Sequence, residues 1–143
     1  MYHTSNIQTN QPYVHYARLV EMARDVDILL VIVPGGATTK HMINAQVLEA
    51  LGPSGYLINV ARGSVVDEAA LVKALEQGKI AGAGLDVFEN EPHVPAALLK
   101  MDNVVLAPHV GSATHHTRNA MAQLVVDNLK AWLDGKPPLT PVK

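Results

Sequence analysis

The chain has 143 residues, of which 48% are apolar and 17% are charged, and its formal net charge is −2. These values are typical of a globular protein, and the length favours a single domain. The sequence contains no cysteine, which excludes disulfide scaffolds, zinc–thiolate sites and cysteine nucleophiles. The near-neutral charge argues against a protein that binds nucleic acid through electrostatic attraction.

The first part of the chain consists of a polar segment followed by one strongly apolar run. Residues 1–15 show no clear period and are interpreted as a loop, and residues 18–24 are expected to form a short helix. The apolar run 28–33 predicts a strand that is buried on both faces, as in a parallel sheet. This run is too short to cross a bilayer, and the N-terminus has no features of a secretory signal. We therefore expect a soluble, cytoplasmic protein.

Helices and strands are expected to alternate along the rest of the chain. The helices are expected over 44–51, 67–77 and 114–134, and the strands over 56–60, 80–87 and 103–106. Each helix begins at a residue that can cap its N-terminus, namely Asn44, Asp67 or Thr114. The last helix carries an apolar stripe with spacings of three and four, formed by Met121, Leu124, Val125, Leu129 and Trp132.

This alternation indicates the fold class. Strands that alternate with helices form βαβ units, and such units build a parallel sheet with helices on its faces. The sequence therefore predicts an α/β protein with a partial doubly wound parallel sheet and helices on both faces. In such sheets ligands bind beyond the carboxyl ends of the strands, which is where candidate site residues are sought.

The predicted strand ends carry side chains suited to reducing a carbonyl group. Arg62 follows the second strand, Asp86 and the carboxylates of Glu89 and Glu91 follow the third, and His109 follows the fourth. A guanidinium group binds a carboxylate and polarises a carbonyl oxygen. An imidazole can donate a proton near neutral pH, and a neighbouring carboxylate orients it and favours its protonated form.

Three long motifs resemble the signatures of the D-isomer-specific 2-hydroxyacid dehydrogenases. They are LINVARGSVVDE over 57–68, GAGLDVFENEP over 82–92 and VLAPHVGS over 105–112. Within this family, the sequence is most similar to the glyoxylate/hydroxypyruvate reductase branch. That similarity lies in residues 91–95, 109–112, 117–122 and 139–142.

The resemblance implies a Rossmann-like fold and an oxidoreductase. It implies that hydride from NAD(P)H reduces a small 2-oxo acid, such as glyoxylate or hydroxypyruvate, to the D-2-hydroxy acid. By this resemblance, Arg62 binds the substrate carboxylate and carbonyl oxygen, and His109 donates a proton to that oxygen. Glu91 would hydrogen-bond His109 and keep it protonated. We expect no metal, because the adjacent His115 and His116 open a helix and point to different faces.

The resemblance also implies a set of cofactor contacts, made mostly through backbone. They are Pro34, Val60, Ala61, Arg62, Asp86, His109 and Gly111. Asp86 would contact the nicotinamide carboxamide, although a residue at this position can also simply cap a strand end. The end of the family's second cofactor-domain strand aligns with His3, Thr4 and Ser5. NAD-preferring folds place an acidic residue there, and its absence favours NADP(H) over NAD(H).

The sequence has no Gly-x-Gly-x-x-Gly turn, which holds the pyrophosphate in dinucleotide folds. We therefore expect residues 1–143 to be the C-terminal portion of an NAD(P)-binding domain that belongs to a larger enzyme. Residues 112–143 would form a C-terminal helix and tail that return toward a catalytic domain. The isolated chain is expected to be weak in catalysis and prone to self-association, and the family usually forms homodimers.

Other functions remain open from the residues alone. Another enzyme of the same family, such as a phosphoglycerate or D-lactate dehydrogenase, would share these motifs. A non-catalytic scaffold that senses dinucleotides is a second alternative, although the presence of Arg62, Glu91 and His109 disfavours it. A truncated, inactive gene product is a third.

Overall fold

Parallel strands and α-helices alternate in the computed structural model, which describes residues 1–4, 10 and 12–141. The chain divides into two compact units. The first unit extends from Met1 to His109, and the second begins at Val110. The first unit contains all of the sheet, and the second contains the long C-terminal helix.

The sheet has four strands in the described part of the chain. They are β1 (Ile28–Val31), β2 (Tyr56–Asn59), β3 (Gly82–Leu85) and β4 (Val104–Leu106). All neighbouring pairs are parallel, and the order across the sheet is β1-β2-β3-β4. The parallel α/β fold predicted from the sequence is therefore confirmed. Each observed strand lies within its predicted range. The strands are short, because only three or four residues of each form ladder pairs.

The α-helices in the described part of the chain are α1 (Leu19–Arg24), α2 (Ala45–Leu51), α3 (Glu68–Glu76) and α4 (His115–Leu133). Of these, α2, α3 and α4 begin where a side chain satisfies a free N–H group, whereas α1 has no side-chain cap. Asn44 Oδ1 accepts from the N–H of Gln46 at 3.0 Å, and Asp67 Oδ1 accepts from the N–H of Ala70 at 3.0 Å. Thr114 caps α4 in the same way through the N–H of Thr117 at 3.1 Å. The three predicted caps are therefore confirmed.

The core of the first unit lies against one face of the sheet. The strand residues on this face are Leu29, Val31, Leu57, Asn59, Ala83 and Leu85, and all of them are buried. They pack with the buried side chains of the helices, which are Met22, Ala23, Val47, Leu48, Leu51, Leu71, Ala74 and Leu75. The sequence predicted helices on both faces of the sheet, and in this unit helices cover one face.

The opposite face of β1 is open to solvent. Ile28 is 61% exposed, Leu30 is 54% exposed and Ile32, just beyond the strand, is 70% exposed. The prediction that this strand is buried on both faces is therefore wrong for this unit. An apolar β-branched run shows that a strand prefers burial, but it does not show which element covers each face.

We expect the 143-residue chain to self-associate through this open face and edge. Light scattering should show a mean mass that rises with protein concentration. Replacing Leu30 with lysine places a charge on the face and should reduce the association. The control is Leu99→Lys, because Leu99 is 64% exposed but lies outside the sheet. A monodisperse monomer of the unaltered chain would refute the prediction.

The second unit carries the apolar stripe predicted for α4. Its five side chains are between 42% and 69% exposed, and Ala131 is the buried residue of the helix. The stripe forms an apolar surface on this unit. Within the described residues, no helix combines the length and the apolarity that a membrane crossing requires.

Candidate active site

The loops that follow the four strands meet at a cleft of about 920 Å³ at the carboxyl end of the sheet. This is the edge at which parallel α/β sheets bind ligands. Six of the predicted site residues line the cleft, namely Pro34, Val60, Ala61, Arg62, Glu91 and His109. The fold therefore brings together residues that are distant in sequence.

Arg62 is held by a buried amide at the end of β2. Asn59 is 1% exposed; its Nδ2 donates to the carbonyl oxygen of Arg62 at 3.0 Å, and its Oδ1 accepts from the N–H of Ala61 at 3.0 Å. The Arg62 guanidinium also donates to the carbonyl of Ala61 at 2.6 Å. Asn59 thus fixes the backbone that carries the arginine. Sequence reasoning assigned Asn59 no role, although an amide at the end of an apolar strand was a usable signal.

Replacing Asn59 with alanine is expected to lower the free energy of unfolding by about 2–4 kcal/mol, because the N–H of Ala61 and the carbonyl of Arg62 lose their partner in a buried site. Urea unfolding followed by circular dichroism measures the loss. Asn103→Ala is the matched control, since the exposed Asn103 side chain makes one hydrogen bond, to the carbonyl of Ala81 at 3.0 Å. Equal losses in the two variants would contradict the structural role given to Asn59.

Two glycines allow the loops around Arg62 to approach closely. A Cβ at Gly63 would overlap the backbone of Phe88, so the Arg62 loop packs directly against the loop after β3. A Cβ at Gly35 would lie 2.9 Å from Arg62 Cγ, so the loop after β1 packs against the arginine side chain. Larger residues at either position would push apart the walls of the cleft.

His109 and Glu91 form an ion pair in the cleft. His109 Nδ1 lies 2.8 Å from Glu91 Oε2, and Glu91 Oε1 accepts from the N–H of Phe88 at 3.0 Å. The contact with Glu91 thus engages Nδ1, one of the two ring nitrogens. His109 has a φ of +54°, in the left-handed region that histidine adopts more readily than most residues. The contact that the family resemblance implied between these two side chains is present.

The pKa of Glu91 lies below its ordinary value. The hydrogen bond from His109 is the largest cause, followed by the N–H of Phe88 and the positive charges of His109 and Arg62. Glu91 is thus ionised throughout the neutral range. Because folding lowers this pKa, its contribution to stability is complete above the unfolded-state pKa. That contribution is lost as the pH falls through the folded-state pKa.

A second histidine–glutamate pair lies at the same end of the sheet. His41 Nε2 is 2.9 Å from Glu89 Oε1, and the N–H of Glu89 donates to Glu68 Oε1 at 2.7 Å. Burial raises the pKa of Glu68, the N–H of Glu89 opposes this shift, and the charges of Glu89 and Glu91 add to it. Sequence reasoning gave no role to His41 or Glu68 and set Glu89 aside in favour of Glu91. The two glutamates indeed have different histidine partners.

Asp86, His3 and Thr4 do not line the cleft. Asp86 is 7% exposed at the end of β3 and is not among the residues that line the cleft. Gly111 belongs to the second unit. His3 and Thr4 line a separate groove of about 500 Å³ along β1, which Pro34 also lines. Ser5 lies outside the described residues.

In the part of the chain that the structure describes, no group of three or more histidine, cysteine, aspartate or glutamate residues is arranged to hold a metal ion.

A parallel sheet with a cleft beyond its carboxyl ends places this chain in the class of open α/β domains that bind ligands at that edge. The family model for the NAD-binding domain of the D-isomer-specific 2-hydroxyacid dehydrogenases matches residues 1–111. The chain belongs to this family.

Similar proteins in this family are reductases. The chain is 52% identical over 141 residues to a glyoxylate/hydroxypyruvate reductase A of Arabidopsis thaliana and 53% identical over 141 residues to a hydroxyphenylpyruvate reductase of Plectranthus scutellarioides. Each alignment covers 99% of this chain and 45% of the relative. The chain therefore spans less than half the length of these two relatives.

A solved structure is also closely similar. The NADPH-dependent glyoxylate/hydroxypyruvate reductase of Sinorhizobium meliloti, in complex with NADP and malonate, is 62% identical with a TM-score of 0.96. The match covers 99% of this chain and 44% of that protein.

Proposed function

We propose that this chain belongs to a reductase of small 2-oxo acids such as glyoxylate and hydroxypyruvate. The chain would form the part of that enzyme that binds the nicotinamide and carries the catalytic side chains. The observation that carries the proposal is the arrangement of Arg62 and the Glu91–His109 pair around one cleft. The reductases similar to this chain support the substrate class. The hydroxyphenylpyruvate reductase among them makes 2-oxo acids with an aromatic group the second candidate.

The roles of the side chains follow from their chemistry. The guanidinium of Arg62 binds the substrate carboxylate and polarises the carbonyl oxygen. His109 donates the proton on Nε2 to that oxygen, while Glu91 holds the ring through Nδ1. This arrangement orients the imidazole before the reaction.

The walls of the cleft offer apolar surface for a flat cofactor ring. Pro34, Val60 and Ala61 line it beside Arg62, and Gly35 and Gly36 let the backbone of the first loop approach. When bound there, a reduced nicotinamide would supply the hydride for reduction of the carbonyl group. Contact between Asp86 and the carboxamide stays a prediction.

We infer that NADPH is the preferred cofactor. The described residues His3 and Thr4 carry no acidic group that would repel a 2′-phosphate, and the S. meliloti relative is NADPH-dependent. The exposed apolar stripe of α4 supports a homodimer, and the sequence favours a cytoplasmic location.

A chimera provides the direct test. The chain replaces the matching 44% of the S. meliloti reductase, and oxidation of NADPH or NADH is followed with hydroxypyruvate or glyoxylate as substrate. We expect turnover with both acids and a higher kcat/KM with NADPH. A correctly folded chimera that binds NADPH but does not oxidise it would refute the catalytic proposal, and a preference for NADH would refute the cofactor assignment.

A further inference from the structure

The second histidine–glutamate pair presents a carboxylate to the cleft. Glu89 lines the same cleft as Arg62 and His109, and its side chain is 36% exposed. His41, whose side chain is 39% exposed, contacts Glu89 through Nε2 at 2.9 Å. A 2-oxo acid is an anion, so an unpaired carboxylate in this wall would repel the substrate and compete with it for Arg62.

Both members of the pair are fixed by backbone hydrogen bonds. The N–H of Glu89 donates to Glu68 Oε1 at 2.7 Å, and the N–H of His41 donates to the carbonyl of Ser64 at 2.9 Å. His41 also has a φ of +50°, in the left-handed region of the backbone. The pair therefore joins the loop after β1 to the loop after β3 in a defined geometry, unlike a mobile surface ion pair.

The other charges of the site do not neutralise Glu89. Glu91 is paired with His109 at 2.8 Å, and Glu68 adds a further carboxyl group beside the N–H of Glu89. The guanidinium of Arg62 is the group proposed to bind the substrate. His41 is thus the group that, when its imidazole is protonated, balances Glu89 without taking charge from the substrate site.

We propose that His41 neutralises the charge of Glu89 and thereby allows the cleft to bind small anions. Glu89 then determines how strongly the cleft discriminates between ligands of different charge. This inference rests on the proposed function, because it requires an anionic ligand at Arg62. His41 acts through Glu89 and is a positioning residue. Losing the imidazole leaves one negative charge beside the ligand, whereas losing the carboxylate leaves one positive charge.

The test uses two probes of nearly the same shape and different charge. Oxamate is a monoanion and oxalate is a dianion at about pH 6, where an imidazole side chain carries its proton readily. Their affinities for the 143-residue chain are measured by calorimetry and by the NMR signal of the Arg62 side chain. The variants are His41→Asn, which suits the positive φ, Glu89→Gln and the double variant.

We expect the Glu89→Gln variant to bind oxamate most tightly and the His41→Asn variant to bind it most weakly. The unaltered chain and the double variant should have equal affinities between these two. Each single step is about three- to tenfold, as for one unit charge at short range in a solvated site. For oxalate each fold-change is roughly the square of that for oxamate, because the ligand carries twice the charge. Lys79→Gln and Glu49→Gln make the same charge changes in an exposed pair outside this cleft and should leave both affinities unchanged.

The outcomes separate this inference from the proposed function. If both single variants weaken binding and the double variant does not recover it, the pair is merely structural and the inference is wrong. Equal fold-changes for oxamate and oxalate would also overturn it. Absence of binding to the unaltered chain, or binding that survives Arg62→Gln, overturns the proposed function as well.

Discussion

Replacing Arg62 with glutamine is expected to lower kcat/KM for hydroxypyruvate about 10³-fold in the S. meliloti chimera. The amide retains some hydrogen-bonding capacity but has no charge and no fork of donors for the carboxylate and carbonyl oxygens. Arg62→Lys keeps the charge without the planar geometry and should recover part of the loss. Steady-state kinetics on purified chimeras give both values.

The matched control for this substitution is Arg18→Gln. Arg18 is also an arginine, but its side chain is 74% exposed and contacts Glu21 on the surface at 3.0 Å. We expect the control to leave kcat/KM within about twofold of the unaltered chimera, as for most surface substitutions. If Arg62→Gln behaves like Arg18→Gln while the protein remains folded, Arg62 does not bind the substrate.

The parts of the fold that depend on local chemistry were predictable from the sequence. The caps at Asn44, Asp67 and Thr114 depend on a side chain and N–H groups two or three residues away, so short sequence patterns suffice. The exposure of Leu30 depends on which element covers the outer face of β1. That is a tertiary contact, and the apolar run 28–33 contains no information about it.

The candidate site likewise has features that the sequence predicts and features that depend on packing between loops. Strand ends place Arg62 and His109 at one edge of the sheet, and the family resemblance selects Glu91 over Glu89 as the partner of His109. The pairing of His41 with Glu89 joins residues 48 positions apart, and His41 has a left-handed backbone conformation. No motif in the sequence specifies that conformation, because loop geometry is set by packing between the loops.

His109→Asn is expected to lower kcat about 10²- to 10⁴-fold in the chimera with little change in NADPH binding, because the amide cannot act as a general acid. Asparagine is the suitable replacement, since it tolerates the φ of +54° at this position. The pKa of Glu91 should rise at the same time, because its largest cause of depression is the hydrogen bond from His109. Carboxyl NMR of the isolated chain measures that rise without any need for turnover.

These two readouts distinguish a catalyst from a scaffold that only binds the dinucleotide. A scaffold would show the same rise in the pKa of Glu91, since the ion pair is lost in either case, but would have no turnover to lose. His116→Asn makes the same substitution at an exposed histidine of α4 and should change neither quantity. Retained turnover in His109→Asn, together with a raised pKa of Glu91, would show that another group supplies the proton. The Glu91–His109 pair would then serve only to hold the loops of the cleft together.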